Sequence, residues 1–265
     1  MFNSKSILWL IGLFLIILGC DSSLTSDSPS KKSTALKADA LQQTDHAKQR
    51  KALAEVRQGT APYNNLNKAI ADGYVQFSPH VPGMGIHYLH DSNFNNNAEP
   101  TLDSNLDRKN PEILVYVEDA PRSNQQRLVA VEYAVPKSSA SPPSNALNLF
   151  PGLDEHDWHV HPSSHELPIP NTWTIHGECH YQGGIGVFLA ENPAGDFVYF
   201  TPPTGAFGSW SGSVTPGQCP TSQAGDPLPP LLIAHGKWWT LHAWVWYPNP
   251  EGIFHPTNPR LGSGN

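Results

Sequence analysis

The chain has 265 residues, a net charge of −7 and only 15% charged side chains, alongside 26 prolines and 21 glycines. An acidic chain with no basic stripe and no phosphate-cradling glycine motif is not built to bind nucleic acid. So much proline and glycine with so little charge suits short strands joined by turns, not a helix bundle.

The N-terminus reads as an export signal. Lys5 precedes an apolar run from Ile7 to Leu18, and a small residue stands before Cys20. The run is short for a membrane-spanning helix. Residues 1–19 are therefore expected to be removed, and loss of Lys5 makes the remainder one unit more acidic. Residues 20–40, rich in Ser, Thr, Asp and Lys, predict a flexible tether. Residues 41–265 are enough for one globular domain. Two cysteines remain beyond Cys20. In an oxidising compartment Cys179 and Cys219 can pair; alternatively Cys179, between Glu178 and His180, is a thiolate ligand.

In chain order, Leu41 to Arg57 predicts a helix stopped by Gly59. A second helix opens at Thr60-Ala-Pro-Tyr63, with Tyr63, Leu66, Ala69 and Ile70 as its apolar stripe and Gly73 as its end. Tyr74–Ser78 and Ile86–His90 predict strands around a Val81-Pro-Gly-Met-Gly85 turn. In the second of these, Ile86, Tyr88 and His90 face one way, His87 and Leu89 the other. Asn93 to Asp107 is an Asn-rich loop. Glu112–Glu118 and Arg127–Val135 predict an antiparallel hairpin. Strict alternation puts Leu128, Ala130, Glu132 and Ala134 on one face of its second strand, so Glu132 is buried with a partner or lines a cavity. Gly184–Ala190 and Phe197–Phe200 predict strands around a turn at Asn192–Gly195. Thr201 to Pro230 is a long Gly/Pro/Ser region. Trp238 to Tyr247 predicts a final strand, with Thr240, His242, Trp244 and Trp246 on one face. The expected class is α+β: N-terminal helices packed on a mainly antiparallel sheet, as a sandwich or an open barrel.

The chemistry concentrates between Gly152 and His180, which holds six of the thirteen histidines: His156, His159, His161, His165, His176 and His180. If Trp158–His161 is a strand, its period of two points His159 and His161 the same way, a good start to a metal site. Glu166, His176 and His180 are the donors expected to join them. First-row metals take imidazole nitrogen and carboxylate oxygen, so Zn, Cu, Fe and Mn all fit. A second candidate set is His87, Glu132 and His242, each on a predicted strand; the bland alternative for it is a buried polar network. Trp238, Trp239, Trp244 and Trp246 fill a core or offer a stacking platform for a ligand or partner. There is no Gly-x-Ser-x-Gly elbow, and Pro168 breaks any His-Glu-x-x-His helix, so no catalytic residue is assigned.

Three resemblances add to this reading. Ile17-Leu-Gly-Cys20 resembles a bacterial lipobox, which implies lipidation of Cys20 and a membrane anchor; Asp21 after it resembles an inner-membrane retention signal, implying the periplasmic face of that membrane. Ala69-Ile-Ala-Asp-Gly-Tyr74, Gly83-Met-Gly-Ile-His-Tyr88, Pro111-Glu-Ile-Leu-Val-Tyr116, Leu128-Val-Ala-Val-Glu-Tyr133 and Leu241-His-Ala-Trp-Val-Trp246 together resemble an uncharacterised family of bacterial exported proteins. That implies one compact exported domain and no particular activity. Gly152, six residues, His159-Val-His161, four residues and Glu166 resemble the first cupin motif. This implies His159, His161 and Glu166 as ligands and a metal-dependent oxidoreductase as the enzymatic version. The second cupin motif departs, with Gly208 where a histidine is expected. The function expected first is a membrane-anchored periplasmic protein that binds or stores a transition metal.

Overall fold

The structure, a computed structural model, describes residues 29–90, 102, 105–118, 125–161, 172–200, 209–210 and 214–262. Contacts divide the chain into two units, Met1–Gln42 and Gln43–Asn265. Helix α1 runs Pro29–Thr60 and so begins inside the stretch read as a tether. Among the described residues, all strands lie in the second unit. They are β1 (Tyr74–Val81), β2 (Gly85–His90), β3 (Ile113–Glu118), β4 (Gln126–Pro136), β5 (His159–His161), β6 (Thr174–Tyr181) and β7 (Ile185–Glu191). After them come β8 (Phe197–Phe200), β9 (Ser209–Trp210), β10 (Ser222–Gln223), β11 (Asp226–Pro227), β12 (Leu231–His235) and β13 (Trp238–Ala243). Two short helices, α2 (Leu66–Ala71) and α3 (Ser144–Leu147), complete the set with brief 3-10 turns. The class is α+β with antiparallel sheets, as the patterning predicts.

One sheet has the order β1-β2-β3-β4-β13-β5, antiparallel throughout. The other has the order β12-β6-β7-β8, with β9 parallel beside β6. The outer face of the first sheet carries Tyr74, Ile86, Leu114, Val131, Tyr133 and Leu241, packed with Ala52, Leu53 and Val56 of α1. Those three helix positions share one face, and full burial of a side chain of this kind contributes roughly 1.5–3 kcal/mol. The inner face carries Phe77, Leu89, Ile113, Val115 and Trp238, which cluster with Ile233 of β12. β1 also lies against β6 and β7. The two sheets thus face each other, and the polar groups described below lie between them.

Three local departures from simple periodicity matter. Gly59 does not stop α1; the helix continues to Thr60, and a Cβ at Gly59 would collide with the Lys109 backbone, so the glycine serves close packing. In β4 the pairing steps from Val115↔Ala130 to Tyr116↔Leu128, a β-bulge that leaves Val129 unpaired in the ladder. Leu128 therefore joins the outer core with Val131 and Tyr133, not the face of Glu132. The Val129 carbonyl instead accepts from the backbone N–H groups of Trp246 (3.2 Å) and Tyr247 (3.0 Å). β13 ends at Ala243, where Val245 N–H turns back to the Ala243 carbonyl (2.8 Å). Trp244 stays with the inner core, while Trp246 packs on the outer one and donates to Thr60 Oγ1 at 3.0 Å.

Candidate metal centre

The register of the first sheet aims several polar side chains into the space between the sheets. β13 pairs with β4 as His242↔Glu132 and Thr240↔Ala134, and with β5 as Thr240↔His159 and Trp238↔His161. Residues opposed across an antiparallel pair project to the same face, so Glu132, His242, His159 and His161 all point inward. β2 adds His87, paired with Val115. From the second sheet come Glu178 and His180, two residues apart on β6, and His235 at the end of β12, whose Cα partner is Glu178. Cys179, between the two β6 donors, points to the opposite face, clusters with Tyr181, Val187 and Ala234, and is disulfide-bonded to Cys219. It is therefore not a thiolate ligand.

Two groups form. In the first, one donor atom each from His161, Glu178, His180 and His235 lie within 4.8 Å of one another. His180 Nε2 is 3.0 Å from His235 Nε2 and 3.4 Å from Glu178 Oε2, and His161 Nε2 is 3.9 Å from Glu178 Oε2. Two donors each bound about 2.1 Å from one ion stand about 3.0 Å apart at a right angle and about 3.6 Å apart at 120°. The spacings here fall in or near that range. The lone pairs are also set. His235 Nδ1 lies 2.6 Å from the Gly236 carbonyl, which can only accept, so Nδ1 carries the proton and Nε2 in the neutral ring is a bare donor. Trp238 stacks on His235 with ring centroids 3.7 Å apart and holds the ring in place. Gly186 faces His180 across the ladder, and a Cβ there would stand 2.6 Å from Glu178 Oε1, so the glycine makes room for the carboxylate.

The second group is His87, Glu132 and His242. His87 Nε2 and His242 Nε2 lie 3.6 and 3.8 Å from Glu132 Oε2, and His159 Nε2 lies 3.8 Å from Glu132 Oε1. Three imidazoles thus surround one carboxylate beyond hydrogen-bond reach. Ser78 orients His87: its hydroxyl gives its single proton to the Pro79 carbonyl (2.8 Å) and so accepts from His87 Nδ1 (2.9 Å), leaving Nε2 bare. His242 is 0% exposed, neither ring nitrogen has a hydrogen-bond partner, and the ring stacks on His159 at 5.2 Å.

Burial dominates the electrostatics. It lowers His87 to about 3 and His161 to about 4, and takes His235 and His242 well below the ordinary histidine value. Those rings are neutral at pH 7, the state that binds metals. Burial raises Glu132 to about 8. Burial would raise Glu178 too, but the imidazoles of His180, His161 and His235 outweigh it and hold it down at about 2.

The histidines expected to act together are divided. His161 and His180 meet in the first group, with Glu178 and His235; His159 turns to Glu132, His87 and His242. His176 sits at a bulge in β6 and pairs with Glu191 at 2.8 Å, beside Phe197, apart from both groups. Glu166, with His165, lies outside the described residues, as does Cys20. Sequence reasoning passed over Glu178 as a ligand, although its spacing of two from His180 was visible, and missed His235 entirely. The clue was Leu231–His235, a short apolar run between Pro230 and Gly236 that reads as a strand ending in histidine. Trp238, Trp239 and Trp244 are buried, so the aromatic strand is core and not a platform. No protein family, curated protein or solved structure matches this chain. The site must be read from its own geometry.

Proposed function

We propose that this chain is an exported, lipid-anchored protein that binds a first-row transition metal between its two sheets, with His161, Glu178, His180 and His235 as ligands. One observation carries the reading: four donors from three strands and both sheets converge, and the spacings among them suit ligands around an ion. A group of three imidazoles and a carboxylate accepts Zn, Cu, Fe or Mn. Binding or storage is the reading preferred to catalysis. The leader and the lipobox-like Ile17–Cys20 support anchoring at the periplasmic face of the inner membrane, and the Cys179–Cys219 disulfide suits an oxidising compartment. A metal-dependent oxidoreductase is the second reading, favoured by the His161 side chain, which is 27% exposed at the rim of the group although its Nε2 is buried.

Elemental analysis of untagged protein supplemented with Zn, Cu, Fe or Mn should find at least one equivalent, reduced by His161→Ala with His180→Ala. A chain that retains no metal under any of these conditions sinks the proposal. Radiolabelled palmitate should enter the wild-type chain in bacteria and be lost in Cys20→Ala; equal labelling of both would remove the anchor.

A further inference from the structure

The second group is not used by that reading, and its chemistry is hard to explain as packing. His242 is wholly buried with two ring nitrogens lacking hydrogen-bond partners, and Glu132 Oε1 likewise lacks one, although the carboxyl interacts with the Thr240 hydroxyl. An unsatisfied buried polar group costs about 1–3 kcal/mol, more when it bears charge. A cation relieves part of this: it takes one lone pair each from His87, His159 and His242 and an oxygen of Glu132 in place of the carboxyl proton. We infer that the space between the sheets takes two metal ions, the second held by His87, Glu132, His242 and His159. The inference rests on the proposed metal-binding function and extends it.

β5 sets the spacing. His159 faces the second group and His161 the first, so each end of His159-Val-His161 serves a different ion. Residues two apart on a strand are separated by roughly 6.6–6.8 Å. That exceeds the roughly 3.5–4 Å of two-metal hydrolytic centres, in which both ions clamp one displacement. Ions held at about that spacing are neighbours without a shared single-atom bridge. Both sites are largely closed: the His87, Glu132 and His242 side chains are 6%, 2% and 0% exposed and those of His180 and Glu178 4% and 8%, while His159 at 17% and His161 at 27% lie nearest the surface.

Copper(II) titration of the full chain, followed by equilibrium dialysis and electron paramagnetic resonance, tests this. Wild type should hold two equivalents, with a half-field line from dipolar coupling of the pair. Glu132→Gln with His242→Leu should hold one equivalent and lose that line. His161→Ala with His180→Ala should also hold one. Saturation of wild type at one equivalent without the half-field line overturns the second ion and leaves the proposed function standing. No bound copper at all, with none of the other three metals bound, overturns both. Should Glu132→Gln with His242→Leu prove unfolded by circular dichroism, the wild-type stoichiometry and half-field line decide alone.

Discussion

At the scale of residues, the site couples stability to pH in a direction that can be worked out. The unfolded chain protonates its histidines near 6.5, but folded His87 and His161 resist to about 3 and about 4, and His235 and His242 lie well below 6.5 as well. Between those values the unfolded state binds more protons, so metal-free stability falls as pH drops below 6.5. Glu178, held at about 2 against 4.5, adds stability above 4.5 that is lost as pH falls through its folded value. Glu132 acts oppositely. Its folded value of about 8 means that stability declines as pH rises from 4.5 to 8. Histidines outnumber it below 6.5, and it stands alone among these groups above. Thermal melts of the metal-free protein should therefore peak near pH 6.5, and a melting temperature that climbs steadily towards pH 4.5 would contradict the burial described. Gly186→Ala isolates ligand aim from ligand identity. Its methyl meets the movable end of Glu178 and not backbone, so the fold should survive while metal affinity drops about 10- to 100-fold, the usual effect of disturbing a ligand's support. Isothermal titration against wild type measures it.

At the scale of elements, the strands were legible because their alternation is strong. Ile86–His90, Ile113–Glu118 and the start of β13 fall on the faces that a period of two assigns. That parity is why His87, Glu132 and His242 could be grouped from sequence before any sheet order was known. Illegible were the places where the backbone slips by one residue. The Val129 bulge sends Leu128 to the opposite core, and the turn after Ala243 sends Trp246 there too. His176 is lost from the site by the same kind of slip in β6. Nor can spacing say that the histidines of one HxH serve different neighbours. That division depends on the opposing sheet, whose Glu178 and His180 approach His161, while Glu132, two strands away in the first sheet across β13, approaches His159.

At the scale of the whole molecule, the layers are fastened at two depths. The outer face of the second sheet is tied by Cys179–Cys219, 40 residues apart in sequence, with Val214, Tyr181 and Ala234 packed around the bond. Cys219→Ser should lower stability by about 2–5 kcal/mol, as removal of native disulfides commonly does. Because Cys179 sits between Glu178 and His180 on β6, it should weaken metal binding as well. Denaturant melts and metal titrations of this variant, with and without reductant, check both effects; an unchanged midpoint would mean that the packing alone secures the strand. The inner face is where an ion would do its own fastening. His161 belongs to one sheet and Glu178, His180 and His235 to the other, so a bound ion rivets the two slabs together. Letting go of it then requires the slabs to part, and residence time becomes a property of how often the whole sandwich breathes, not of how strong any single bond to the cargo is.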